Sequence, residues 1–117
     1  MKQGALYRAG NATCLLPRVW KTASAWERMR GLLGRPPLSE GQGFLIDPCP
    51  SVHTFGMGYP LDLVFLGPDY RILKQVSRLP PWRLAGCGGA RATLELPPGS
   101  LTTLRLGNGE ALAWRAA

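Results

Sequence analysis

Pro60-Leu61-Asp62-Leu63-Val64-Phe65-Leu66-Gly67-Pro68-Asp69 is the stretch on which the fold turns. Leu61 to Leu66 is an apolar run broken only by Asp62, short and bounded by proline and glycine, as a strand should be. Gly67-Pro68-Asp69 supplies a turn, and Tyr70 to Val76 returns with polar and apolar residues interleaved, so the two segments form a hairpin. Alternation puts Leu61, Leu63 and Phe65 on one face and Asp62, Val64 and Leu66 on the other. Both faces are apolar apart from Asp62. This carboxylate is therefore expected to be buried or to line a cleft, with a partner. Arg35 and His53 are the partners the sequence offers.

Other short strands surround this hairpin. Leu6 to Arg8 and Cys14 to Trp20 pair through a turn at Gly10-Asn11, with Pro17 marking an edge or a bulge in the second strand. Phe44 to Ile46 is a short buried strand, and Ala92 to Leu96 carries Leu94 and Leu96 on one face and Glu95 on the other. Leu101 to Leu106 and Ala111 to Arg115 are expected to form a last hairpin through Gly107-Asn108-Gly109. One helix is predicted over 24–33. Ser24 and Glu27 have capping-box spacing, Gly34 and Pro36-Pro37 stop it, and Trp26, Met29, Leu32 and Leu33 form an apolar face for the sheet. Gly31 within it suggests a close approach by another group. Eight or nine short strands with one helix make a mainly β domain over 1–117, a small β-sandwich or a partly open barrel.

The chain has 117 residues and a net charge of +7, with much of the basic excess before position 36. Such a charge suits a small anionic ligand or an acidic protein partner. Nucleic acid is a less favoured alternative, in which Trp82-Arg83, Trp20 and Tyr7 join the basic N-terminal third. Three widely spaced cysteines are not a disulfide framework and fit a reducing cytoplasm. The first residues lack the apolar core of a signal peptide, and no run is long enough to span a membrane. The expectation is a cytoplasmic protein that does not insert into membranes.

The chemistry-bearing residues crowd just before the central strand, in Asp47-Pro48-Cys49-Pro50-Ser51-Val52-His53-Thr54-Phe55-Gly56-Met57. Cys49 and His53, with Cys87 as a third ligand, could share zinc, but the paired spacing of structural zinc sites is missing and no metal or cofactor is assigned. Cys49 as nucleophile with His53 as base needs a turn to bring them together, since four strand residues span about 13 Å. The residues expected around a shallow pocket are Arg35, Cys49, His53, Thr54, Met57, Asp62, Trp82 and Arg83. They suit a binding or accessory module. A small hydrolase or metal-dependent enzyme using Cys49, His53 and Asp62 is the alternative.

Four blocks carry a family resemblance: Glu27 to Arg35, Pro48-Cys49 through Met57, Pro60 to Leu66, and Leu94-Glu95-Leu96 before Gly99. In this order, over about 18–113, they resemble the bacterial and archaeal domain of unknown function 192 family. The resemblance implies a compact β fold of sandwich or jelly-roll type with one helix near its start, and no activity. Many relatives carry Trp-Met-Lys-Asn-Thr where this chain has His53 to Met57, which weakens His53 as a shared catalytic base.

Overall fold

Alternating apolar residues drive nine strands to form, and the computed structural model describes them across all residues, Met1–Ala117. They are β1 (Lys2–Arg8), β2 (Cys14–Lys21), β3 (Gln42–Ile46), β4 (Ser51–His53), β5 (Leu61–Leu66), β6 (Ile72–Leu79), β7 (Leu84–Gly86), β8 (Ala92–Leu96) and β9 (Leu112–Ala116). Two short helices are inserted, α1 (Ala25–Arg30) and α2 (Ser100–Leu104). Seven strands make one sheet in the order β6-β5-β8-β3-β2-β1-β9, while β4 and β7 form a separate ribbon. Only β2 and β3 run parallel; the other neighbours are antiparallel.

The sheet curls until its edge strands meet at one end. Arg71 and Ala111 form a single bridge. Beside it Ile72 N–H donates to Glu110 C=O (2.9 Å) and Leu112 N–H to Tyr70 C=O (3.0 Å). The result is a partly open barrel, closed at one corner and not zipped along its length.

Curling sorts the alternating side chains into two cores. Leu6, Leu16, Val19, Leu45, Val64, Leu66, Leu94 and Leu96 fill the inside. Phe44, Ile46, Leu61, Leu63, Phe65 and Leu32 lie on the outer face, beneath Val52 of β4 and Ala85 of β7. Strand β5 is buried at all six positions because it has a core on each side. No helix is long and apolar enough to cross a membrane.

The structure corrects two expectations and decides a third that the sequence left open between an edge and a bulge. α1 is shorter than 24–33: Ser24 Oγ accepts Glu27 N–H (3.2 Å) as cap, and the helix stops at Gly31, which adopts φ 56°. Its apolar face is not packed on the sheet. Trp26 is 68% exposed and Met29 75%, and Leu33 is also exposed; only Leu32, in the turn that follows, reaches the core. Six residues are too short a lever to lay that face down. Secondly, Leu101 to Leu104 is helical, and β9 pairs with β1 rather than with a strand before Gly107-Asn108-Gly109. The glycine-rich turn folds back on β6 instead, with Gly109 N–H on Ile72 C=O (2.7 Å). Thirdly, β2 is an interior strand, so Pro17 is not at an edge. It sits where the β1–β2 register shifts between Gly4↔Val19 and Leu6↔Leu16, a bulge that spares the ladder the missing N–H.

Candidate ligand-binding site

Strand β8 places Glu95 on the outer face of the sheet, between Phe44 of β3 and Leu63 of β5. A short carboxylic acid there would normally meet solvent. Here the chain covers it from two directions. On one side α1 and the turn after it bring Arg28, Met29, Gly31 and Leu33; on the other, the β4 segment brings Cys49, Ser51, His53, Phe55 and Met57. Between them lies a cavity of about 370 Å³ with Ile46 and Glu95 at its floor. Glu95 is 4% exposed.

Several bonds fasten the second wall to the strand that carries Glu95. Cys49 N–H donates to Arg91 C=O (2.6 Å), and Thr93 Oγ1 donates to Cys49 C=O (2.8 Å). Just before it, buried Asp47 accepts from Tyr70 Oη and from Arg91 Nε (3.1 Å), with Lys21 Nζ at 3.8 Å. The walls touch at one end, where Leu33 Cδ1 lies 3.0 Å from where a side chain on Gly56 would begin. Gly31 has φ 56°, and a Cβ on it would stand 3.9 Å from Glu95 Oε1, so this residue leaves the approach to the carboxyl open.

No group of the protein donates a hydrogen bond to Glu95. Burial alone pushes its carboxyl up to about 8, so near neutral pH it is largely a neutral acid, one O–H donor beside a carbonyl acceptor. Arg30 Nε is held by Leu33 C=O (3.0 Å), and Arg28 makes no ion pair. A neutral acid at the floor, apolar and sulfur-bearing walls and guanidinium groups above them can take a polar group deep and an anionic group at the mouth.

Of the residues expected around a pocket, Cys49, His53 and Met57 line this cavity. The others lie elsewhere. Asp62 is fully buried on the inner face, accepting Arg78 N–H (2.8 Å) and Leu101 N–H (2.9 Å), so it meets neither Arg35 nor His53. Arg35 donates from Nε to Gly31 C=O (3.1 Å) and spreads its guanidinium over Phe44, 5.9 Å from the ring centre. Thr54 is buried as a loop tie: its Oγ1 donates to Pro80 C=O (2.7 Å) and accepts Arg83 N–H (3.0 Å). Trp82 is exposed and stacks on Phe55, 5.8 Å away, and Phe55 lies 4.9 Å from the His53 ring. Arg83 Nη1 reaches Trp82 C=O (3.3 Å).

Cys49 and His53 share the cavity without bonding each other. The thiol donates to Ser51 C=O (2.8 Å), and burial pushes its pKa up, away from the thiolate a nucleophile requires. His53 Nδ1 accepts Phe55 N–H (3.3 Å). Cys49, His53 and Cys87 do not gather with other ligands into a group able to hold a metal. Glu95, Arg28, Met29 and Leu33 are among the cavity residues the sequence expectation lacks. Leu94-Glu95-Leu96 was the signal for the first, since a strand apolar on one face is free to bury its other face when a second layer covers it.

The family model DUF192, described as "Uncharacterized ACR", matches residues 8–114. No curated protein matches the sequence. Among solved structures, a "putative transcription regulator" from Sinorhizobium meliloti is similar, with TM-score 0.79 and 21% identity over 97% of this chain and 92% of that one. A protein of unknown function from Novosphingobium aromaticivorans has TM-score 0.75 and 20% identity over 96% of this chain and 84% of that one. At these identities the likeness is one of fold.

Proposed function

Since the chain belongs to the DUF192 family, whose description assigns no activity, we propose from the site itself that the protein is a binding or accessory module taking a ligand into the cavity over Glu95. One observation carries this reading: a buried carboxyl at the floor of a cavity with no partner in its own chain. Its oxygens still open onto the cavity, so a ligand that pairs with them takes over hydrogen bonds that water would otherwise supply. A neutral carboxylic acid donates one hydrogen bond and accepts another side by side, which an amide matches with its carbonyl and N–H. Arg28 and Arg30 at the mouth favour a carboxylate or phosphate on the same ligand. The favoured ligand therefore joins an amide to an anionic group across an apolar stem.

Glutaramate has this chemistry, while butyrate and glutarate lack the amide. Titrated into isotope-labelled protein, glutaramate is expected to shift the backbone amides of Gly31, Leu33, Ser51 and His53, and the controls to do so far less. The response should vanish in Glu95→Leu, whose fold is checked from the remaining amides. Equal responses from all three probes, or an unchanged response in the variant, would sink the reading.

A nucleic-acid reading draws on a different observation, the exposed Phe55–Trp82 stack beside Arg83. It requires retention on single-stranded nucleic acid that falls steeply with salt and is lost in Trp82→Ala.

A further inference from the structure

The same cavity has a second open feature, the free edge of β4. In the β4–β7 ribbon Ser51 faces Gly86, Val52 faces Ala85 and His53 faces Leu84. Flanking these pairs, Cys87 N–H donates to Pro50 C=O (3.1 Å) and Thr54 N–H donates to Arg83 C=O (2.9 Å). Bonded and non-bonded pairs alternate along an antiparallel ladder. With bonds at positions 50 and 54, and hence at 52, Ser51 and His53 must turn their N–H and C=O groups away from β7. Both residues line the cavity. The Cys49 thiol occupies Ser51 C=O, which leaves the two N–H groups and His53 C=O facing the opening.

Strand edges left open in this way are templates for another chain, and proteins usually cover or charge them. Here the charge is placed across the gap, on Arg28 and Arg30. Exposed Met29, Leu33 and Phe55 supply apolar contact around it. Only Glu95 among the acidic residues lines the cavity, and the protein carries +7 overall, so the surroundings select against basic segments.

We infer that β4 accepts an extended acidic peptide segment of a partner protein as an added strand, with one side chain of that segment entering the cavity to hydrogen-bond Glu95. In such strand addition the main chain supplies affinity and alternate side chains supply specificity. Side chains one position either side of the entering residue point away from the cavity, and those two positions away share its face, toward the cavity that Arg28 and Arg30 line. An acid–apolar–amide–apolar–acid pattern fits this order. The inference rests on the cavity reading above and adds the class of partner.

The probe is the blocked pentapeptide Ac-Glu-Val-Gln-Val-Glu-NH2, fluorescently labelled, with derivatives N-methylated at one backbone amide each. Expected results are saturable binding and added hydrogen-exchange protection of about tenfold or more at the Ser51 and His53 amides. Methylation at alternate amides should weaken binding about tenfold, while methylation at the intervening ones, which face solvent, should leave it nearly unchanged. Replacing both glutamates of the peptide with lysine should abolish binding. A peptide that binds with no alternation in the methyl series overturns strand addition. A silent peptide beside a responsive glutaramate overturns the inference and leaves the cavity reading intact; silence from both overturns both. Displacement of the peptide by oligothymidylate would assign the groove to nucleic acid and also overturn it. Because the changes are made in the peptide, no protein variant has to fold for the test to decide.

Discussion

Replacing Glu95 with glutamine keeps the shape of the side chain and removes its ability to ionise, and the stability of the protein should register that loss as a function of pH. In the folded chain burial raises this carboxyl from an ordinary 4.5 to about 8. Between those values the folded state holds a proton that the unfolded state has released. Stability then falls as pH rises through the window and is level on either side of it, which is opposite in sign to the usual salt-bridged carboxylate. The full interval is equivalent to about 5 kcal/mol at ~1.4 kcal/mol per pH unit, a ceiling that any water reaching the cavity lowers. Wild type should lose several kcal/mol relative to Glu95→Gln between pH 5 and 8.5, with the variant gaining its greatest advantage at the alkaline end.

Urea denaturation of both proteins at close pH intervals, with equal m-values as the check on two-state behaviour, measures the difference directly. His53 and Cys49 line the same cavity, Arg28 stands above it, and Tyr59 feels the charge of Glu95. All four are present in both proteins, but the charge of Glu95 itself helps raise the Cys49 and Tyr59 groups, so part of the difference at the alkaline end is carried through those two. A difference that stays level to within about 1 kcal/mol across the window refutes the burial argument. So would a Glu95 carboxyl carbon signal that titrates near 4.5.

Asp62→Asn leaves only one good acceptor for the Arg78 and Leu101 N–H groups and is expected to cost about 1–3 kcal/mol in urea, with the cavity amides responding to glutaramate as in wild type; a lost response would restore Asp62 to the site. Gly4→Ala drives a Cβ to within 2.3 Å of Arg115 C=O and 2.6 Å of the Trp114 ring, so the β1–β9 pairing must shift and thermal stability drop by about 1–3 kcal/mol; an unchanged melting midpoint contradicts that close approach. Exposed Cys14 should react with a disulfide reagent at least about tenfold faster than Cys49, whose thiol is half-buried and raised in pKa; equal rates, or a Cys49 rate that depends on His53, would revive Cys49 as a nucleophile.

The fold was legible where local pattern and tertiary environment agreed. Leu61 to Leu66 and Ala92 to Leu96 are strands with the bounds their composition suggests, and the turn at Gly67-Pro68-Asp69 joins β5 to β6 as expected. Pattern failed where two elements competed for the same partner. Asn108-Gly109 is a strong hairpin signal, but Gly4 lets β9 lie closely against β1, and that pairing claims the strand which a local hairpin needed. The apolar spacing of Trp26, Met29 and Leu33 was real, but amphipathicity marks a face without saying what covers it. In α1 nothing from the same chain does. Of the residues that line the cavity, the sequence reading named Cys49, His53 and Met57 and not Glu95, because burial of Glu95 depends on a second layer contributed by distant segments.

Asp62 and Glu95 together show how the barrel separates a structural carboxylate from an available one. Both are interrupters of apolar strands, both are buried, and they sit on neighbouring strands, with Asp62 paired to Leu96 in the ladder one place beyond Glu95. Single-residue alternation then sends them to opposite faces. Facing inward, Asp62 meets two backbone N–H groups, one from Arg78 at φ 51° and one from the first turn of α2. Those donors would otherwise be unsatisfied, so its two oxygens are taken up in holding the end of β6 and the start of α2. Facing outward, Glu95 meets the underside of α1 and β4, whose own donors point elsewhere, and its bonding capacity is left over. A one-residue shift of β8 against β5 would turn Glu95 inward onto the face that Asp62 already occupies, and it is prevented because Leu94 and Leu96 would leave the inner core. The packing that fixes the register of β8 is therefore also what keeps an unpartnered acid at the floor of the cavity.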